Sequence, residues 1–435
     1  MIRLVDPREV RYVANDSGVL LGLQRMPPSS PTFSATYLAP AGYGYDPPRL
    51  HGLARAASRL LTAGAGRRDR RQFARVLDAA GATISSRIDA EVVATTLWGP
   101  VWAAESLAEL FADALFRPRF DPKEVERVRS ELHVERMREA TQPSARAERE
   151  LAEAIFPPGH PYRRTGGGSA RCLDAIGREE IVHFHSEHFP VAGAALVVTL
   201  PAGRRLPRAI VRRFLRSRRL AGPRPPRWPR RSMPPSKKTV RLEGGSQVEI
   251  RLGGPALPRA DKQYPALFLA NEVLGGRPAI ARLFQRVRER RGLAYDASSE
   301  LWAGRWGGSW TVAAGTSPDR WPTTLSLLTE ELERLTQQGI PERELTATRE
   351  SVIGEIPTAL ETTADAHALA EEVVRFHLPE TFWIDWPKCL RSLGSEAVRV
   401  AAAQVYGGSA FAQVVVGPLG PGHGRAGPRP RLVRS

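Results

Sequence analysis

Apolar and polar positions fall into the same succession of patterns twice along the chain. A helix-period run over 72–80 stops at Gly81 and gives way to two alternating runs, 82–88 and 92–98, the signature of a hairpin with one buried face. Further on, a helical run over 281–291 stops at Gly292, and alternating runs follow over 293–302 and 308–314. Each hairpin is followed by two long amphipathic helices, predicted at 102–116 and 122–156 in the first case and at 322–338 and 341–360 in the second. The second helix of each pair has a proline in its first turn, where the missing N–H costs nothing. Each series closes with a helix and an apolar β-rich run: 179–188 with 194–200, and 396–406 with 410–416. The pattern predicts an α+β fold of two homologous tandem domains, each a mostly antiparallel sheet covered by helices. The expected divisions are an N-terminal domain over 1–219, a Pro/Arg-rich linker over 220–236, a C-terminal domain over 237–422 and a disordered basic tail over 423–435.

Length agrees with duplication, since 435 residues exceed one comfortable core. No run of apolar residues is long enough to span a bilayer, so no membrane segment is expected. The first residues lack the apolar stretch of a secretory signal, and the chain has only two cysteines, Cys172 and Cys389, without metal-ligand spacing. Cytoplasmic residence is the expectation.

Charge adds one ambiguity. The net charge is +17, and the stretch 203–238 contains no acidic residue while nearly every third residue is basic. Such a run is either a footprint for an acidic partner or nucleic acid, or a solvated linker. Its prolines and the lack of interleaved stacking aromatics, with Trp228 too little for a platform, favour the linker and argue against nucleic acid as a partner.

Several segments together carry a family pattern: APAGYGYDPPRLHG (39–52), GLARAASRLLTAGAG (52–66), FDPKEVERVR (120–129), FPPGHPY (156–162), HFHSEHFPVAGAALVVTL (183–200) and RLFQRVRERRGLAY (282–295). With these the chain resembles the insulinase/pitrilysin-type inverzincin metallopeptidases, in particular short forms related to the mitochondrial processing peptidase subunits. The resemblance implies a zinc site made by two histidines and a general-base glutamate on one helix, with a later glutamate as third ligand. Aligned on that pattern, Arg55 stands at the first histidine, Ser58 at the base and Arg59 at the second histidine; only the third ligand, Glu135, is retained. A guanidinium has no lone pair and keeps its charge, and a serine hydroxyl does not accept a proton from water as a carboxylate does. The chain is expected to be inactive alone, with no catalytic residue, no metal and no cofactor of its own, and Glu135 is expected to pair with Arg59 or Arg55. Sliding the motif to His51 supplies neither a glutamate nor a second histidine.

The resemblance also implies that an arginine and a tyrosine seven residues later, here Arg288 and Tyr295, hold substrate near the scissile bond. His185 and His188, one helical turn apart, fall where the family has an ordinary helix end, so they are expected to be structural. Gly166–Ser169 lacks the residues of a phosphate loop. The expected function is that of a non-catalytic, substrate-binding subunit of a heterodimeric zinc endopeptidase that processes peptides or unfolded segments. Its partners would be a paralogous subunit with the zinc motif, carrying the zinc, and a peptide substrate. The alternative is a structural or interaction protein with a peptidase-like fold and no proteolytic role.

Overall fold

The computed structural model describes residues 6–15, 17–216, 221–225, 233–243, 245–277, 280–407 and 411–419. The tail 423–435 and residues 220 and 226–232 of the expected linker lie outside them. The first half runs β1 (Val10–Val13), β2 (Leu20–Met26), β3 (Thr32–Ala39), α1 (Leu53–Leu60), the short hairpin β4 (Gly64–Ala65) and β5 (Arg68–Asp69), α2 (Arg70–Ala80), β6 (Thr83–Ile88), β7 (Val93–Pro100) and α3 (Ala104–Phe116). It continues through α4 (Pro122–Thr141), α5 (Pro143–Ile155), α6 (Ala170–Asp174), α7 (Arg178–His188), β8 (Ala195–Pro201) and α8 (Arg208–Ile210), which winds on as a π-helical turn through Leu215. The second half comprises β9 (Lys237–Arg241), β10 (Val248–Ala256), α9 (Tyr264–Asn271), a π-helical segment Phe284–Glu289, β11 (Ala294–Ala303) and β12 (Gly308–Thr316). Then come α10 (Trp321–Gln337), α11 (Glu342–Ala359), α12 (Thr363–Arg375), α13 (Phe382–Ser392), α14 (Ser395–Tyr406) and β13 (Ala412–Gly417).

Strand order exposes the duplication. The first sheet reads β1-β2-β8-β3-β7-β6 and the second β11-β12-β10-β13-β9. Read from the far end, β9-β13-β10-β12-β11 repeats β2-β8-β3-β7-β6 strand for strand. Each series has its single parallel pair at the same place, β2 with β8 and β9 with β13. The fold is thus α+β and duplicated, with β1 as an addition to the first sheet.

One expected helix is two. The run 122–156 breaks at Gln142, whose backbone is extended (φ −87°, ψ 120°) ahead of Pro143, as the steric demand of proline on its predecessor requires. The break redirects α5 away from its own half. It packs on β10 and β13 of the second sheet, where Ala147, Leu151 and Ile155 share a core with Ala412, Val414 and Val416. The second half reciprocates: α12 lies across β2, β3 and β8 of the first sheet. Each half therefore covers one face of the other's sheet with a helix.

The α12 contact is specified by polar residues spaced one turn apart, Thr363, His367, Glu371 and Arg375. Thr32 donates from Oγ1 to Thr363 Oγ1 (3.0 Å), and the His367 ring lies between Thr36 Oγ1 (2.7 Å from Nε2) and Thr199 Oγ1 (2.8 Å from Nδ1). Arg87 grips both Glu371 oxygens at 2.7 and 2.6 Å, and Arg375 meets Asp89 (2.5 Å) and Glu91 (3.4 Å). Between these, Ala370, Val373 and Val374 supply the apolar contact. Buried polar groups that find all their partners in one arrangement and not in others fix a register as well as add stability.

Part of the basic stretch 203–238 is packed structure, which corrects its reading as a linker. Ile210 and Phe214 of the α8 helix are fully buried, and its arginines lie along the acidic edge of α3. The Arg208 N–H donates to Glu105 (2.9 Å), Arg212 pairs with Glu109, and Arg213 with Asp113 (3.5 Å). The three acids recur every fourth residue on α3, a complement that lies far from these arginines in sequence.

Candidate functional site

Helix α1 begins at Gly52, whose φ of 102° suits glycine alone, and its first free N–H groups are satisfied from a distance. The Asp46 carboxylate accepts from Gly52 N and Ala54 N, both at 2.8 Å. Burial pushes the Asp46 carboxyl up to about 7, against the lowering effect of those two amides. Leu53, Ala54, Ala56, Ala57 and Leu60 are buried in the first domain's core, which leaves Arg55 and Arg59, four apart, on the face toward α4.

On α4, Glu135 and Glu139 are also four apart and meet them. Arg59 Nη2 donates to both Glu135 oxygens at 2.8 Å. Arg55 Nη1 stands 3.7 Å from Glu135 and 3.6 Å from Glu139, while its Nη2 donates to Thr165 O at 3.2 Å. Ser58 is buried, and its hydroxyl donates back to Arg55 O at 2.9 Å. An ion pair joins Arg59 of α1 to Glu135 of α4, and the Ser58 hydroxyl is turned into its own helix. Of the four positions only Glu135 has a donor suited to zinc, and its oxygens face a cation. Among the described residues no three His, Cys, Asp or Glu side chains are grouped so as to hold a metal.

Arg288 and Tyr295 are brought together on the second half, at the open edge of its sheet. The Arg288 guanidinium lies between two rings, 4.8 Å from the Phe284 centroid and 4.9 Å from that of Tyr295. The pairing of β11 with β12 slips between Ala294 and Asp296, so Tyr295 is the extra residue of a β-bulge. A bulge re-aims the side chain it carries, and Tyr295 is 76% exposed, an unusual state for a strand aromatic. Among the described residues the pair shares no hydrogen bond, ion pair or ring contact with Arg55, Ser58, Arg59 or Glu135.

The two α7 histidines are structural. His185 Nε2 bonds Leu115 O and His188 Nδ1 bonds Pro40 O, both at 2.8 Å, and burial holds the His185 imidazole down at about 4. Sequence reasoning missed the α12 stripe and a buried cluster beside it. There Glu91 accepts from the Tyr162 hydroxyl and from Arg305 N (2.7 Å), faces Arg375, and is raised in pKa by burial. The available signal was the recurrence of a polar residue at every fourth position of α12, from Thr363 to Arg375.

Comparison with known proteins agrees with this geometry. A family model described as Insulinase (Peptidase family M16) matches residues 28–163, and one described as Peptidase M16 inactive domain matches 176–352. The chain belongs to the insulinase family. An uncharacterized zinc protease of Mycobacterium leprae is 29% identical over 212 residues, 46% of either chain, and one of Mycobacterium tuberculosis is 28% identical over 267 residues, 59% of either chain. The chain thus spans about half the length of the curated relatives it matches. The crystal structure of a peptidase M16 inactive domain from Pseudomonas fluorescens superposes with a TM-score of 0.86 at 20% identity, covering 94% of this chain and 98% of that one. The periplasmic protease PqqL from Escherichia coli superposes at 0.78 and 15% identity, covering 94% of this chain but 45% of that one. This family member is peptidase-like. No helix among the described residues is long and apolar enough to cross a membrane.

Proposed function

We propose that this protein is the non-catalytic, peptide-binding subunit of a two-chain zinc endopeptidase, with zinc and general base supplied by a paralogous partner. The observation that carries the reading is the contrast between the two halves. The metal positions are closed by Arg59 and Glu135, whereas Tyr295 is turned outward by a bulge with Arg288 stacked on it. An exposed aromatic held by a cation is poised for a ligand, since its ordering cost is already met. A tyrosine hydroxyl and a guanidinium are suited to hold a peptide carbonyl, and correct placement of a scissile bond contributes several kcal/mol to catalysis. The open strand edge offers main-chain hydrogen bonds to an extended segment of varied sequence. Cytoplasmic residence belongs to the same reading and rests on two unpaired cysteines.

The test is reconstitution with a zinc-motif paralogue. Peptidase activity should appear only on mixing, and Arg288→Ala or Tyr295→Phe should lower turnover about tenfold or more while co-elution of the two chains persists. Full activity of both variants would reduce the pair to scaffold. Absence of any activity with an assembled partner would favour the interaction-protein reading.

A further inference from the structure

A concavity of about 250 Å³ opens where the two halves meet, beside the buried Glu91 cluster. Leu38, Val92 and Ala195 line it from the first half, Val374 and His377 from the end of α12, and Arg305 from the turn between β11 and β12. His377 stands where glycine is the usual residue. Helix α12 ends in a Schellman turn, in which Leu378 N donates to Val373 O (2.9 Å) and His377 N to Val374 O (3.3 Å). The turn holds His377 at φ 53°, and among the described non-glycine residues only Phe120 shares that left-handed backbone. Phe120 is buried in the first domain's core, which accounts for it. The His377 imidazole lines the cavity instead and makes no hydrogen bond among the described residues. A strained residue kept where glycine would serve points to a use for its side chain.

The polar groups at the cavity favour an anion. Glu91, the one acid lining it, is already engaged by the Tyr162 hydroxyl, by Arg305 N (2.7 Å) and by Arg375 (3.4 Å). The Arg305 guanidinium has no ion-pair partner among the described residues and lies 5.6 Å from the Trp306 ring centroid. Arg375, also in the lining, spends Nη2 on Asp89 and Glu91 while its buried Nε has no hydrogen-bond partner. Partial burial and the Arg305 charge hold the His377 pKa below its ordinary value, which leaves a neutral imidazole with a donor to offer at pH 7. One unmatched guanidinium suits one carboxylate, held by two parallel N–H donors, and the nearby Glu91 charge disfavours a more highly charged anion. The volume admits roughly ten non-hydrogen atoms, and the apolar lining requires that most of them be carbon. We propose that this cavity binds a small monocarboxylate with an aromatic or branched apolar body: Arg305 pairs with the carboxylate, His377 donates to it, and Leu38, Val92 and Val374 cover the apolar part. Both halves supply the lining, so an occupied site ties them together. The site is independent of the peptide-binding reading above.

The experiment titrates the full chain with three probes of one shape, 3-phenylpropionate, its neutral amide and 3-phenylpropylamine, followed by saturation-transfer NMR. The acid should bind with a dissociation constant in the low millimolar range or tighter, as a ligand of this size allows, and at least about fivefold tighter than either analogue. Arg305→Ala should remove that margin. The Arg305 side chain is exposed and its main-chain bond to Glu91 survives the substitution, so an unchanged thermal transition should accompany the loss. His377→Gly should weaken the acid at least about threefold while raising the thermal midpoint by about 1–2 °C, because glycine relieves the strained turn. A histidine with a structural role alone would lose stability and no affinity, and that result would overturn its place in the site. Equal binding of the three probes, binding of none, or a preference for the acid that persists in Arg305→Ala would overturn the site itself.

Discussion

Acidification should weaken the joint between the two halves through a single imidazole. His367 is fully enclosed between α12 and the first sheet, and both ring nitrogens are committed to threonine hydroxyls. Burial, aided by the Arg87 charge, lowers its pKa from 6.5 to about 3. Because the folded value lies below the unfolded one, protons bind the unfolded chain better. The neutral ring costs nothing above pH 6.5, and stability is lost progressively as pH falls from there toward 3. Between pH 7 and pH 5 that loss is about 2 kcal/mol for this one residue. Asp46 acts in the opposite sense, since its raised carboxyl is relieved of an unfavourable charge over the same range, so the slope of the whole protein does not isolate the histidine. A difference does. Urea unfolding at pH 7 and pH 5 should show His367→Gln, which keeps a donor and an acceptor between the threonines, losing about 2 kcal/mol less on acidification than the unsubstituted protein. Equal losses in the two proteins would refute the placement of a neutral, buried imidazole at the joint.

Two further predictions concern the exchanged helices. A Cβ added to Gly22 on β2 would overlap the Val374 side chain of α12, so Gly22→Ala should cost about 1–3 kcal/mol in unfolding free energy; a neutral result would mean that α12 stands off the sheet. The halves produced separately should each expose the sheet face that the other's helix covers, bind a hydrophobic dye, and lose that binding on mixing. Two independently compact halves would contradict the exchange.

The chain announces its elements better than their destinations. Hairpins, amphipathic helices and the duplication were legible because each depends on local periodicity, down to the proline in the first turn of α4. The swap was not. Nothing within 122–156 states that Pro143 sends α5 to the other sheet, because the apolar face of Leu151 and Ile155 fits any complementary surface. The charged run 203–238 misled for a related reason: the acids that neutralise Arg212 and Arg213 are on α3, about a hundred residues earlier. The Glu135 pairing was readable because two guanidiniums opposite a retained carboxylate leave little choice of partner. The outward turn of Tyr295 was not readable, since a bulge is a property of strand register and not of the residue.

Zinc content measures the central claim most directly. Protein purified, equilibrated with excess zinc, desalted and analysed by inductively coupled plasma mass spectrometry should hold far less than one zinc per chain, because Arg59 occupies the carboxylate that would be a ligand and Arg55 adds a second positive charge. One tightly held zinc per chain, lost on Glu135→Gln, would contradict the account.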